Sequence, residues 1–330
     1  MIETLVEWFA MVQAWLFESM VLPVVFRFGL GEFTESAFEG TEWFMVGVIE
    51  LTLLYIVLRP LEAWRPVQVL ADPHARWNDF IYTALHRLGL FSLAIFFALD
   101  PVLDHLLAQW HLRGLQTFNL ESLWPGMGPL TSFFLYLVVL DFFDYWYHRA
   151  EHHFNWWWAL HSLHHSQRDM NLWSDNRNHL LDDLLRDVYM GVIAILLGVA
   201  PSQYVLLVSL SRALQSLQHA NIRLHFGRWG ERLLVSPRYH RTHHAIGLGH
   251  ESQGAGSLGG CNFAVLFPIW DMLFRSANFS TEFAATGVRD QLPVPDQGRA
   301  EGVDYGQGFW AQQWLGLVRL ARALGMGKRA

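Results

Sequence analysis

The spacing of the histidines constrains this chain more than any other feature of its sequence. Residues 144–165 read DYWYHRAEHHFNWWWALHSLHH and contain the patterns H-x-x-x-H and H-x-x-H-H. A second H-x-x-H-H follows at residues 240–244. On a helix, residues three and four apart share one face, so each pattern aims several imidazoles in one direction. The sequence therefore predicts helices whose imidazole-bearing faces converge.

Neutral imidazole is a good ligand for iron, zinc and copper, and eight or more imidazoles can hold two metal ions. An isolated histidine is more often a core or surface group, but the patterned histidines all have helical ligand spacing. We therefore predict an all-imidazole or nearly all-imidazole dimetal site, which suits two ferrous ions with room for dioxygen. The predicted ligands are His148, His152, His161, His164, His165, His240, His243 and His244.

The composition indicates a membrane protein. Charged residues make up only 16% of the chain and aromatic residues 15%, and the mean hydropathy is +0.18. The net charge of −7 argues against a nucleic-acid partner, which would favour a basic surface. Cys261 is the single cysteine, which excludes a disulfide framework and a cysteine-held iron–sulfur cluster. Glu3 and Glu7 stand where a cleaved signal peptide would carry basic residues.

Apolar segments predict about four to six membrane helices, some of them re-entrant. Glu50 lies inside one of these segments, where a carboxylate must find a partner. Arginines at or near residues 60–79 place that loop in the cytoplasm by the positive-inside rule, and with it the histidine patterns. The predicted segments are 5–28, 43–59, 80–99, 130–147 and a hairpin over 184–218 that breaks at residues 198–201.

The segments after the hairpin predict loops and one further helix. Residues 245–260 are rich in glycine and match G-x-G-x-x-G, but no strand precedes them, so we expect a mobile loop near the metal site instead of a dinucleotide site. Residues 261–277 form an apolar segment that docks on the cytoplasmic helices or enters the interface, and 280–308 form a polar linker. Residues 309–326 predict an amphipathic helix that either packs in the core or anchors in the membrane interface. Its apolar side consists of Trp310, Trp314, Leu317, Leu320 and Leu324.

The predicted fold is an all-α integral membrane protein with a cytoplasmic helical cap that carries the histidine-rich dimetal site. Its predicted domains are N-terminal membrane helices at 1–129, a catalytic domain at 130–275, and a linker with an amphipathic helix at 276–330.

Three ordered histidine patterns on such a chain resemble the fatty acid hydroxylase/sterol desaturase superfamily, over roughly residues 130–275. The resemblance is carried by DYWYHRAEH, HSLHHS and SPRYHRTHH, and by NF and IWD between residues 262 and 271. It implies a non-haem di-iron centre, dioxygen as oxidant and the C–H bond of a fatty acyl, sterol or related lipid as target. Hydroxylation is the expected outcome, and desaturation by the same centre remains the alternative. With no flavin motif, iron–sulfur cluster or haem domain in the chain, a separate reductase, ferredoxin or cytochrome must deliver the electrons.

The resemblance also implies ligands beyond the three patterns, namely His219 and His179. Some members have a further histidine four residues before the position of His219, but Gln215 occupies it here, so the tenth ligand is either His179 or His225. His153 is expected to face away from the metals.

Ligand imidazoles need partners that fix their orientation and tautomer. Asp144 lies four residues before His148 on the same helical face and is the first choice to accept its N–H. Asn176 and Arg241 are further expected supporting residues. Weaker candidates are Asp141, Asp182, Asp183 and Asp187.

Three other classes of membrane protein remain open. A haem protein with two histidine ligands would need histidines deep inside spans, and His86 is the only one there. A metal transporter or sensor would need ligands along a transmembrane path. A zinc hydrolase is the third, although the H-E-x-x-H of zinc metalloproteases is absent.

Overall fold

The computed structural model describes residues 2–91, 105, 108–110, 112–114, 118–124, 126–247, 259–293 and 302–326. Within these residues the chain is helical and forms no strand beyond one isolated bridge between Ala245 and Thr286, which confirms the expected all-α class. The helices are α1 Ile2–Leu16, α2 Leu22–Arg27, α3 Thr34–Trp64, α4 Pro73–Arg87, α5 Pro129–His153, α6 Asn155–His165, α7 Leu180–Leu197, α8 Pro201–His219, α9 Gly227–Gly230, α10 Pro237–His243, α11 Ile269–Leu273 and α12 Phe309–Ala323.

The chain divides into two compact units, Met1–Ile56 with Ala84–Leu112 and Val57–Thr83 with Arg113–Ala330. Two helical stretches, Thr4–Arg27 and Gly31–Trp64, are long and apolar enough to cross a membrane, judged by length and composition alone. They contain nearly all of the predicted spans at 5–28 and 43–59. No other helix among the described residues meets this criterion, so the total of four to six membrane helices stays a prediction.

The second of these helices is longer than the sequence suggested. We expected it to end at Pro60, but α3 continues through Pro60 to Trp64. A proline inside a helix removes one hydrogen bond and crowds the preceding turn, so it can kink a helix without ending it. The acidic residues before the predicted span are helical too, because α3 already begins at Thr34.

In the first unit, Glu50 has the partner that its apolar surroundings require. The Arg87 Nη1 atom lies 3.1 Å from the Glu50 Oε2 atom. Gly47 lies one turn before Glu50, and a Cβ atom at this position would collide with the carbonyl oxygen of Arg87. The absence of a side chain at Gly47 therefore lets the two backbones approach closely enough for the ion pair.

Several predicted segments lie partly outside the described residues. Helix α4 covers the start of the span predicted at 80–99, whereas residues 92–99 and most of the following loop are outside. Two further stretches also lie outside the described residues. They are 248–258, which include most of the glycine-rich loop, and 294–301 of the polar linker.

In the second unit, α5 begins with Pro129 in its first turn and ends before the extended residue Phe154. It runs beyond the predicted span at 130–147 and so carries His148 and His152 on its last two turns. Only Phe154 separates α5 from α6, which brings the next histidines back beside the first pair.

The predicted hairpin is present as α7 and α8, with Gly198 in the left-handed conformation between them (φ 74°). Tyr136, Leu137 and Leu140 of α5 pack with Ala194 of α7 and Leu207 of α8 in the core of this unit. This packing fixes the ends of α5 and α8 from which the histidines project.

The segment at 261–277 docks on α5, one of the two arrangements that its composition allowed. Asp141 of α5 accepts hydrogen bonds from the backbone N–H groups of Leu266 (2.8 Å) and Phe267 (3.0 Å) and from Nε1 of Trp270 (2.9 Å). A buried carboxylate with three donors holds an irregular backbone in one conformation.

Candidate metal centre

Five buried histidines form the first histidine group. Each offers a ring nitrogen, and these atoms lie within 4.8 Å of one another. Three helices supply them, so the group exists only in the folded protein. The members are His148 and His152 of α5, His161 and His165 of α6, and His243 of α10.

Four other buried histidines form the second histidine group, with their ring nitrogens also within 4.8 Å of one another. Its members are His164 of α6, His219 at the end of α8, His240 of α10 and His244 just after α10.

The two groups adjoin each other. The ring centroids of His165 and His244, one from each group, are 4.3 Å apart and the rings are stacked. Each H-x-x-H-H pattern contributes to both groups. Its two histidines four residues apart enter one group, and the histidine between them enters the other. The helical period thus lets one short helix serve two neighbouring sites.

Backbone carbonyls fix two imidazoles of the first group. The Nδ1 atom of His148 donates to the carbonyl oxygen of Phe263 (2.8 Å), and Nδ1 of His243 donates to that of Cys261 (2.7 Å). Because the proton is then on Nδ1, each Nε2 atom keeps its lone pair.

Carboxylates fix a third imidazole of the first group. The Nδ1 atom of His161 lies 3.3 Å from an oxygen of Glu151 and 3.4 Å from an oxygen of Asp182. Burial lowers the pKa of His161, but the two carboxylates outweigh burial and raise it to about 9. Both carboxyl groups face Nδ1 and keep a proton there, so a metal would bind at Nε2 in place of the proton on that atom.

In the second histidine group, the Nε2 atoms themselves converge. They are separated by 3.2 Å between His164 and His219, by 3.0 Å between His219 and His240, and by 3.1 Å between His240 and His244. A ring nitrogen offers either one proton or one lone pair, so ordinary hydrogen bonds do not account for all three contacts. A metal at about 2.0–2.1 Å from each nitrogen would separate tetrahedral ligands by roughly 3.3 Å.

The protonation of these imidazoles agrees with metal binding. Burial, reinforced by the neighbouring histidines, lowers the pKa of His164, His240 and His244 well below the usual value, so their rings are neutral. His219 donates from Nδ1 to the carbonyl oxygen of Gln215 (2.8 Å), which again leaves Nε2 with its lone pair. The donor set of both groups thus fits a pair of metal ions.

The structure brings together nine of the ten expected ligands and leaves His179 outside both groups. His179 caps α7, where its Nδ1 atom accepts from the N–H of Leu181 (3.1 Å) and its Nε2 atom donates to the carbonyl oxygen of Gln313 (2.9 Å). Both ring nitrogens are therefore engaged in hydrogen bonds. His225 also lies outside the groups and accepts from Gly227, and His153 is exposed, as expected.

The expected role of Asp144 is wrong. Its carboxylate pairs with the Arg186 guanidinium through contacts of 2.6 Å and 3.0 Å, because the Nδ1 atom of His148 is already bound to a backbone carbonyl. Neither Asn176 nor Arg241 hydrogen-bonds to a histidine within the described ranges. Arg241 instead donates to the carbonyl oxygen of Ala284 (2.8 Å).

Two supporting residues were missed by reasoning from the sequence. Glu151 lies one turn after His148 on the same helix, and this spacing would have indicated that its carboxyl group lies near the ligands. Asp271 accepts from the backbone N–H groups of Phe263 and Ala264, both at 2.9 Å, and from the Tyr239 hydroxyl (3.0 Å). It thereby holds the turn that presents the Phe263 carbonyl to His148. Its place in the quoted IWD segment was the signal that could have found it.

Several known proteins that resemble this chain have names that describe enzymes acting on lipids. Residues 133–276 match the family model described as fatty acid hydroxylase. The chain is 27% identical over 255 residues to the alkylglycerol monooxygenase of Homo sapiens, covering 77% of this chain and 53% of that protein. It is 24% identical over 251 residues to the ornithine lipid hydroxylase of Rhizobium tropici, covering 74% and 71% respectively.

A third relative is the Delta(7)-sterol 5(6)-desaturase of Gibberella zeae, 28% identical over 155 residues, which are 45% of this chain and 47% of that protein. The chain thus spans about half the length of the human and fungal relatives. No solved structure matches it. The resemblance to the fatty acid hydroxylase/sterol desaturase superfamily that the three histidine patterns raised is therefore confirmed.

Proposed function

We propose that this protein is a membrane-bound non-haem di-iron oxygenase that hydroxylates a C–H bond of a lipid, with dioxygen as oxidant and electrons from a separate donor. The observation that carries the proposal is the convergence of nine buried imidazoles in two adjoining groups. The names of two relatives, an alkylglycerol monooxygenase and an ornithine lipid hydroxylase, support a lipid as substrate.

The residues of the chain would hold and orient the metals. The first histidine group would bind one ion and the second group the other, each mainly through Nε2 atoms. Bound there, two ferrous ions would supply the reduction of dioxygen and the oxidation of the C–H bond. Glu151 and Asp182 keep the proton of His161 on Nδ1, and the carbonyls of Phe263 and Cys261 do the same for His148 and His243. Burial of both groups keeps bulk water away from the reaction.

Electrons have to arrive from outside this chain. Its single cysteine does not support an iron–sulfur cluster, and no flavin-binding motif is evident in the sequence. We therefore propose a separate reductase, ferredoxin or cytochrome as partner. The arginines at residues 59–79 support an active site on the cytoplasmic face, where such donors are found.

The test uses the full chain purified into lipid nanodiscs without added metal. We expect two irons per chain, no haem absorbance, and transfer of one labelled oxygen atom from dioxygen to a lipid when a reductase system is supplied. Without a donor, the reduced protein should turn over no more than once. Haem absorbance, or zinc as the bound metal with no oxygen consumption, would overturn the proposal.

Desaturation is the second candidate, and the match to a sterol desaturase favours it. Lipid analysis of cells with and without the gene separates the two outcomes. A gain of one oxygen in the product supports hydroxylation, whereas a loss of two hydrogens supports desaturation.

A further inference from the structure

Helix α12 has its polar side buried and its apolar side exposed. Gln312, Gln313 and Gly316 are its buried residues. Trp310 is 79% exposed and Trp314 is 65% exposed. Of the two arrangements that the sequence allowed for this apolar side, packing in the core is therefore wrong. A helix on a domain surrounded only by water would bury such a stripe.

Hydrogen bonds to two other helices hold α12 in this orientation. The Gln312 Oε1 atom accepts from Nδ2 of Asn78 (2.8 Å) in α4. Gln313 donates through Nε2 to the Tyr82 hydroxyl (3.0 Å), also in α4, and its Oε1 atom accepts from the N–H of Leu180 (2.9 Å) in α7.

Helix α6 is the third neighbour that fixes α12. Arg319 donates to the carbonyl oxygen of Ala159 in α6 (3.1 Å). Close to these bonds, a Cβ atom at Gly316 would collide with the ring of His179. Rotating α12 to bury its tryptophans would break these bonds and leave buried polar groups without partners, which is unfavourable.

The exposed apolar residues form one continuous stripe. They lie at intervals of three and four residues, which places them on a single face over about 22 Å of helix. Such a patch is large for a protein surface that faces water. The stripe consists of the exposed Trp310, Trp314, Leu317 and Leu324 and the half-buried Ala321.

The charges of residues 309–330 indicate what covers the stripe. Residues 309–330 contain Arg319, Arg322, Lys328 and Arg329 but no aspartate or glutamate, in a chain whose net charge is −7. Arg322 is exposed beside the stripe. Tryptophan favours the level of lipid headgroups, and cations beside an apolar helical face favour anionic lipids.

We propose that α12 lies in the interface of an anionic membrane, with its stripe among the acyl chains and its polar side against the protein. Since α6 packs on the inner side of α12, and packed helices lie about 8–10 Å apart, the histidine-bearing helix would run just beneath this interface. A second copy of the chain and bulk water are the competing occupants of the stripe.

A spin label at position 317 tests the proposal on the full chain in nanodiscs of phosphatidylcholine and phosphatidylglycerol. Leu317→Cys is compared with Glu282→Cys, whose residue is exposed on the polar linker. The parent chain supplies the background, because its single cysteine, Cys261, is buried. We expect dissolved oxygen to relax the label at position 317 more than a water-soluble nickel chelate does, and the reverse at position 282.

Two results would overturn the proposal. Nickel access at position 317 equal to that at position 282 would mean that the stripe faces water. Access by neither agent, together with spin–spin broadening between labels, would mean that a second copy covers the stripe. Neither result depends on catalysis, so each is distinguishable from a failure of the proposed function.

The cations give a second measurement on the same labelled chain. Replacing Arg322, Lys328 and Arg329 by glutamine should make the label at position 317 shallower in anionic nanodiscs and leave its depth in purely zwitterionic ones unchanged. Arg228→Gln, at an exposed site on α9, is the matched control and should have no effect. An unchanged depth in the triple variant would contradict the assignment of anionic lipid.

Discussion

The two histidine groups differ in the partners that hold the Nδ1 atoms of their imidazoles. In the first group, backbone carbonyls hold His148 and His243, and the carboxylates of Glu151 and Asp182 lie behind His161. In the second group, a backbone carbonyl holds His219, and the Nδ1 atoms of His164, His240 and His244 are buried with no partner among the described residues. In the first group, carboxyl groups thus lie within 3.3–3.4 Å of one ligand ring. In the second group, the charge of Asp175 acts on His219, but no carboxylate among the described residues hydrogen-bonds to a ligand ring.

This difference has consequences for metal affinity. A carboxylate behind a ligand imidazole raises its basicity and fixes its orientation, and outer partners of this kind typically change metal affinity or activity 10–100-fold. We therefore expect the first group to hold its ion more tightly than the second, although both consist of the same type of ligand.

The largest effects should follow from removing a ligand. His165→Ala in the first group and His244→Ala in the second should each lower product formation by at least about 100-fold, because losing a ligand costs more than losing an outer partner. Iron content should fall by about half in each variant if each group binds its own ion. Iron analysis and product assay provide the measurements. His153→Ala, which removes an exposed histidine outside both groups, is the control, and equal iron loss in it would contradict the site.

The carboxylates should matter for one group only. Glu151→Gln and Asp182→Asn should weaken iron binding by the first group about 10–100-fold and leave the second group unchanged. Chelator titration followed by iron-specific spectroscopy measures the two sites separately. Asp144→Asn is the comparison variant, since Asp144 pairs with Arg186 and not with a ligand. If iron binding weakened equally in both groups, the conclusion would be that these carboxylates do not act through His161.

Removal of metal from the unmodified protein should proceed in two phases. The second group should release its iron first, at a chelator concentration about tenfold lower, because no carboxylate of the described residues hydrogen-bonds to its ligand rings. Activity should disappear with this first phase, as both ions are required. Simultaneous release of both irons would remove the distinction between the groups.

The smallest expected effect is on the pH dependence of folding stability. It comes from Asp79, which lies in neither histidine group. Burial raises the pKa of Asp79 to about 6, even though Arg177, Asn171 and Ser174 favour its ionised form. Since the pKa in the unfolded chain is lower, near 3.8, the folded protein binds more protons between these values. Stability should therefore decline as pH rises from about 4 to about 6, with a slope of at most about one proton.

Urea unfolding of the iron-loaded protein across this pH range measures the slope. Asp79→Asn should flatten it, whereas Asp72→Asn, at an exposed carboxylate at the start of the same helix, should leave it unchanged. An unchanged slope in Asp79→Asn would assign the titration to another group.

Much of the fold was predictable because helical periodicity is a local property. The patterns of three- and four-residue spacing placed His148 with His152, His161 with His165, and His240 with His244 on common faces, and the structure keeps each pair in one group. The hairpin around Gly198 followed from the same kind of local signal. The prediction that α3 ends at Pro60 was wrong for a local reason as well. One proline weakens a helix but does not always end it.

The partners of the site were less predictable, because they come from distant parts of the chain. Asp144 was chosen for its spacing from His148, but the carbonyl of Phe263, 115 residues further on, occupies the position behind that ring. His179 was expected to be a ligand, but it caps α7 and donates to Gln313 of α12 instead. Spacing within one helix does not show which of two possible acceptors hydrogen-bonds to a ring nitrogen, because one acceptor can come from a distant segment.

The sequence by itself determined that this protein is helical, that its imidazoles are presented in pairs, and which superfamily it resembles. These properties depend on residue type and on spacing within one helix. Only the tertiary structure decided how nine histidines divide between two groups, which atoms hold each ring, and which side of α12 faces outward. Those choices depend on contacts between segments far apart in the chain, and their energies exist only once the helices have packed.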